Sequence, residues 1–207
     1  MRKIPTLFER EFSDHKVVSI KPIVTPGLEW VLRGEGVATV KIDGACCAII
    51  DGVFYKRYDA KNGKTPPAGA IPCQPEPDPI TGHWPHWLKV DPEKPEDKWF
   101  IEAYNNTFKP SSFYERFAEK LTIDGTYEAF GKHFQGNPYN LHMDFLAKHG
   151  EADLFICPRD FEGLRDFLRS NYIEGIVFWK DGEPQCKIKR SDFGFAWPVD
   201  RGGVISE

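Results

Sequence analysis

The sequence predicts an α+β fold built mainly from antiparallel strands, and three observations carry that expectation. Apolar, β-branched runs at 37–40, 46–50 and 53–58 include the hairpin dipeptide Asp51-Gly52 between the last two. A second pair of runs, Ile173–Trp179 and Gln185–Lys189, flanks the turn Lys180-Asp181-Gly182-Glu183. Phe161, Leu164, Phe167 and Leu168 recur at helical spacing within Asp160–Ser170, which predicts an amphipathic helix.

In chain order, residues 1–36 read as short strands and turns punctuated by Pro5, Pro22, Pro26 and Gly27, with no chemistry expected there. Residues 36–60 read as a β-meander of three strands. In the third, alternation sends Phe54, Lys56 and Tyr58 to one face and Tyr55 and Arg57 to the other. Residues 61–98 form a Pro-rich loop insertion whose anchors are Trp84 and Trp87; Cys73, His83 and His86 within it match no zinc-ligand spacing. Trp99–Tyr104 is expected as a strand, Ser111–Lys120 as a short helix opened by a serine cap, and Asp124–Gly131 as a turn and a strand carrying Glu128. Gly136-Asn137-Pro138-Tyr139 is a turn, and His142–Leu146 the next strand.

The 207 residues suit one domain with a substantial core, and a monomer is expected. The net charge of −4 excludes a globally basic nucleic-acid binder, so any anionic ligand has to be met by a local patch. Such patches exist: Lys41, Lys56, Arg57, Lys61 and Lys64 cluster within 41–64, and Lys187, Lys189 and Arg190 lie close together. The cysteines Cys46, Cys47, Cys73, Cys157 and Cys186 are odd in number and contain no Cys-x-x-Cys pair. With no apolar leader and no long apolar run, this predicts free thiols in a soluble, reducing, cytoplasmic compartment, without a membrane partner.

Several ionisable residues are embedded in apolar strands. Lys41 ends the run Val37–Val40 and opens Lys41-Ile42-Asp43-Gly44; an ammonium there must find an anionic partner or snorkel to the surface. Lys187-Ile188-Lys189 fits a solvated strand face with Ile188 turned inward, or two like charges held around an anion such as a phosphate. Glu128 and Glu174 are the carboxylates of the intervening strands.

The order Lys41-x-Asp43-Gly44, Arg57, Glu128, Glu174-Gly-Ile-Val-Phe178 and Lys187-x-Lys189 resembles the covalent nucleotidyltransferases, which include RNA and DNA ligases and capping enzymes. Thr81-Gly82-His83-Trp84-Pro85, Gly136-Asn137-Pro138-Tyr139 and Ala196-Trp197-Pro198 are similar to stretches of small ATP-dependent 5′-to-3′ RNA ligases that also occur in vertebrates. The resemblance implies a nucleotidyltransferase domain of two antiparallel sheets with flanking helices and the nucleotide between them. It implies Lys41 as the nucleophile that takes AMP from ATP, with Lys187 and Lys189 on the α-phosphate and lowering the amine's pKa. Glu128 would take a ribose hydroxyl, Arg57 ribose or phosphate, and Asp43 and Glu174 a Mg²⁺ or Mn²⁺ ion. Phe145, or alternatively Phe155, would stack on the base. Two departures stand out. Val40 occupies the position where several RNA ligases have a base-reading Glu, so recognition would fall on backbone groups. The chain ends 18 residues after Lys189, so no C-terminal OB-fold is expected. The implied function is joining of RNA 5′-phosphate and 3′-hydroxyl ends through a lysyl-AMP; the alternatives are a DNA ligase, a GTP-dependent capping enzyme, or a non-catalytic module that binds RNA ends.

Overall fold

The computed structural model describes residues 3–13, 16–61, 63–79, 81–108, 123–152, 154 and 156–199. The chain divides into two compact units, one formed by Met1–Lys3 and Asp43–His149, the other by Ile4–Ile42 and Gly150–Glu207. The boundary at Ile42 and Asp43 falls inside the Lys41–Gly44 stretch.

The unit containing Ile4–Ile42 opens with the antiparallel pair β1 (Phe8–Ser13) and β2 (Lys16–Val24). Its second sheet has the order β11-β10-β3, from β3 (Val37–Lys41), β10 (Gly175–Lys180) and β11 (Glu183–Lys189), all antiparallel. The helix α2 (Phe161–Ser170) is capped by Asp160, whose side chain accepts from the Gly163 N–H at 2.8 Å. Its apolar stripe, Leu164 and Leu168, joins Ala38, Ile176, Phe178, Cys186 and Ile188 in one core. Period-two alternation has a consequence for function: once Ile176, Phe178, Cys186 and Ile188 turn inward, Gly175, Val177, Lys187 and Lys189 must share the opposite face.

The unit containing Asp43–His149 holds a sheet of order β6-β7-β5-β4-β8-β9. Its strands are β4 (Ala45–Ile50), β5 (Val53–Ala60), β6 (Ile71–Pro72), β7 (Trp84–Lys89), β8 (Gly125–Gly131) and β9 (Asp144–Lys148). Cys47, Ile49, Tyr127, Ala129 and Leu146 form its core with Ala103 of the helix α1 (Lys98–Phe108) and Phe54 packed alongside. Lys56, on the Phe54 face, pairs with the buried Asp97 just before α1, and Arg57 goes to the other face, as alternation predicts.

The α+β class is what the structure displays, although the described residues form three sheets rather than two. Three local expectations need correction. Trp99–Tyr104 lies in α1 and is not a strand: Phe100, Ala103, Tyr104 and Phe108 repeat at helical period, and Phe100 and Tyr104 place their rings against Phe54 at 6.3 and 5.3 Å. The meander loses its first strand, because β3 pairs with β10 while β4 pairs with β5 and β8. The Pro-rich insertion is partly ordered into the sheet, with Trp84–Lys89 pairing β5 and Ile71–Pro72 pairing β7. The helix expected at Ser111–Lys120 lies outside the described residues.

Candidate active site

Lys41 is the last residue of β3, and in register it lies directly across Gly175 from Lys189: Gly175 pairs with Lys41 on one side and with Lys189 on the other. One step along, Val177 separates Thr39 from Lys187 in the same way. Lys41, Lys187 and Lys189 therefore occupy one face of one sheet. A glycine between two of them is required sterically, since a Cβ on Gly175 would come within 2.3 Å of the Ile188 carbonyl. Lys41 Nζ donates to Glu174 Oε2 at 2.5 Å, and both side chains are largely shielded from solvent. Glu174 does not lie in β10 itself but immediately precedes it, and its carbonyl accepts from the Arg190 N–H at 2.9 Å.

Electrostatics of this face are carried by Lys187, whose amine is pushed down to about 8 from 10.5. Burial is the main cause, followed by the positive charges of Lys41, Lys189 and Arg10, with Asp192 opposing them. Val40 lies in register with Ile176, on the face opposite Lys41, and its N–H donates to the Ala152 carbonyl at 2.9 Å.

In the other unit, the face of the six-stranded sheet away from α1 carries Arg57, Cys46, Glu128, Phe130 and Phe145. Cys46 pairs with Glu128 and Phe130 with Phe145 in register, and the Phe130 and Phe145 rings lie 6.3 Å apart. Arg57 Nε donates to Asp59 at 2.9 Å. The loop that follows Lys41 is held by two contacts in this unit: the Asp43 N–H donates to the Tyr139 hydroxyl at 2.7 Å, and Gln135 Nε2 donates to the Gly44 carbonyl at 3.0 Å. Gly44 is obligatory here, because a Cβ would stand 2.2 Å from the Ala129 carbonyl and 2.9 Å from Glu128 Cγ. Phe155 lies outside the described residues.

Sequence patterns did not single out three participants. His149 pairs its Nε2 with Glu128 Oε2 and its Nδ1 with Thr126 Oγ1, each at 3.0 Å, and so orients the carboxylate. Its only prior signal was its position just past a strand. Tyr139 belongs to a turn that is one of the stretches carrying the resemblance, without an expected role of its own, and Arg10 to a stretch without expected chemistry. A further cluster, Glu102, His133 and Asp144, brings potential ligand atoms within 4.8 Å of one another. Asp144 is spent on His133, accepting from its N–H at 2.9 Å and pairing with its Nδ1 at 2.6 Å, while the imidazole stacks on Trp99 at 3.4 Å. That arrangement pins the segment after β8 to α1.

Comparison with known proteins gives an RNA ligase-like relationship, a distant one. Proteins named RNA ligase 1 from Mus musculus and from Rattus norvegicus are each 24% identical to the chain, with 96% of the chain and 82% of each relative covered. No family model matches the chain. No helix among the described residues is long and apolar enough to cross a membrane.

Proposed function

We propose that the protein is an ATP-dependent RNA ligase that works through a lysyl-AMP on Lys41. The observation that carries this is the single face on which β3, β10 and β11 present Lys41, Lys187 and Lys189 around Gly175, with Lys41 bonded to Glu174. The distant likeness to mouse and rat proteins named RNA ligase 1 supports the choice of RNA as the joined polymer.

In the first step Lys41 Nζ turns from Glu174, releases a proton to solvent and attacks the α-phosphorus of ATP with the freed lone pair. The N–P bond forms as the bond to the bridging oxygen breaks and pyrophosphate leaves. Lys187 and Lys189 bind the α-phosphate oxygens and offset the charge that grows there. Ribose recognition belongs to Glu128, oriented by His149, with Arg57 on ribose or phosphate; Phe145 offers the ring for the base, and Val40, whose N–H is held by Ala152, is assigned to base recognition through its carbonyl. In the second step an RNA 5′-phosphate oxygen displaces Lys41 and takes the AMP. In the third, an RNA 3′-hydroxyl attacks that 5′-phosphorus, and AMP leaves as the phosphodiester forms.

Glu174 and Asp43 are the carboxylates proposed to hold Mg²⁺ or Mn²⁺, and their oxygen donors fit such a hard cation. The ion, when bound, supplies further neutralisation of phosphate charge.

The test is incubation with Mg²⁺ and α-labelled ATP or GTP, denaturing electrophoresis and peptide mapping. A label from ATP on Lys41, absent in Lys41→Ala, is the expected result. An adduct that persists in Lys41→Ala removes the nucleophile assignment. Labelling from GTP alone would favour a capping reaction, equal sealing of DNA ends a DNA ligase, and nucleotide binding without a denaturation-resistant label a non-catalytic module.

A further inference from the structure

We propose that Arg10 binds the outer phosphates of ATP, the pyrophosphate that departs when Lys41 takes the adenylyl group; this rests on the ligase reading above. Nothing in residues 1–36 predicted a role in chemistry, and the placement comes from how the N-terminal segment is built into the sheet.

Pro5–Leu7 lies along the free edge of β11. The Lys187 N–H donates to the Pro5 carbonyl at 3.0 Å, the Leu7 N–H donates to the Lys187 carbonyl at 2.8 Å, and Thr6 bridges Lys187 in parallel. A segment parallel to β11 advances from Lys187 towards the Lys189 end, and three residues after Leu7 the chain reaches Arg10 in β1. There Arg10 Nη2 donates to Asp192 Oδ1 at 3.1 Å, while Asp192 Oδ2 accepts from the Lys189 N–H at 2.8 Å. Asp192 is buried and therefore fixes the guanidinium at the end of the strand that carries the lysine pair.

Lateral order then gives Arg10 its task. Across the sheet the sequence is β3 with Lys41, then β10, then β11 with Lys187 and Lys189, then the segment that leads to Arg10. Arg10 thus enters from the side of the lysine pair opposite the nucleophile. In an in-line displacement at a phosphorus held by that pair, the leaving group departs away from the nucleophile, towards Arg10. A guanidinium suits the task because its planar fork matches phosphate oxygens in pairs. Asp192 occupies only part of that fork: its bond is to Nη2, and the Arg10 side chain stays 32% exposed. Positive charge is also in excess, with Lys41, Lys187, Lys189 and Arg10 set against Glu174 and Asp192.

The experiment uses the full chain as wild type, Arg10→Ala and Arg10→Lys. Binding of inorganic pyrophosphate is measured by calorimetry, and the rate of adduct formation from ATP is compared with sealing of pre-adenylylated nicked RNA, a step that releases no pyrophosphate. Arg10→Ala is expected to weaken pyrophosphate binding by about tenfold or more, the loss of a charge-assisted hydrogen bond, with part recovered in Arg10→Lys. Its loss in the ATP step should exceed its loss in sealing by a similar factor. Unchanged pyrophosphate affinity in Arg10→Ala, or equal losses in both steps, would overturn the proposal. If the wild type takes no label from ATP the ligase reading falls by itself, and the pyrophosphate isotherms still decide whether Arg10 is a phosphate ligand.

Discussion

The chemistry of Lys187 is strongly altered by its surroundings, with burial and the neighbouring positive charges pushing its amine down. Between about 8 and 10.5 the unfolded chain holds a proton that the folded protein has released, so the Lys187 contribution makes stability rise with pH across that window. Binding of a phosphate runs the other way, because the anion is attracted by the charged amine. Affinity for ATP or pyrophosphate is expected to fall as pH climbs through about 8, and Lys187→Met should remove that step while weakening binding throughout; titrations from pH 7 to 9.5 check it. His149 makes a second, independent case. Without its bond to Glu128 the carboxylate loses its fixed orientation, so His149→Ala should raise the KM for ATP about fivefold, equivalent to one ordinary hydrogen bond. The same variant should discriminate less between ATP and 2′-deoxy-ATP, a readout that general destabilisation would not move.

At the scale of elements, β10 does two jobs at once. Its Ile176 and Phe178 are fully buried in the core with α2, and its opposite face spaces the lysines of β3 and β11. The two jobs separate by mutation. Phe178→Ala leaves a cavity and should cost roughly 3–5 kcal/mol in chemical denaturation. Gly175→Ala forces a Cβ against the Ile188 carbonyl, and β10 and β11 must part to admit it. The expected outcome is a cost of about 1–3 kcal/mol from overpacking, together with a loss of adduct formation larger than Phe178→Ala shows at a temperature where both variants are folded.

At the scale of the molecule, each of the two units has its own core, and no cysteine in either is tied into a disulfide. All five thiols are pushed up by burial first of all, Cys46 and Cys186 to about 12 and Cys157 to about 11. Iodoacetamide at pH 8 should therefore label the native protein slowly and the denatured protein fast, as counted by mass spectrometry, and reducing agent should leave the melting temperature unchanged. Rapid labelling of Cys46 or Cys186 in the native protein would contradict their placement.

How much of this was legible beforehand differs from residue to residue. Alternation and turn chemistry are local, so the chain alone determined the hairpins at Asp51-Gly52 and Asp181-Gly182, the helix after Asp160, the opposite facing of Lys56 and Arg57, and the common face of Lys187 and Lys189. The order of polar residues also sets Lys41, Glu128 and Glu174 apart from their apolar strands. α1 departs from the expected strand because its bulky aromatic start favours a strand while its later residues keep helical period. Pairing partners are set by which apolar faces cover one another, a property no window of sequence contains. Only the tertiary structure therefore took β3 out of the meander and set it beside β10, put Gly175 between Lys41 and Lys189, gave Glu128 its His149, and laid Pro5–Leu7 along β11 so that Arg10 reaches Asp192.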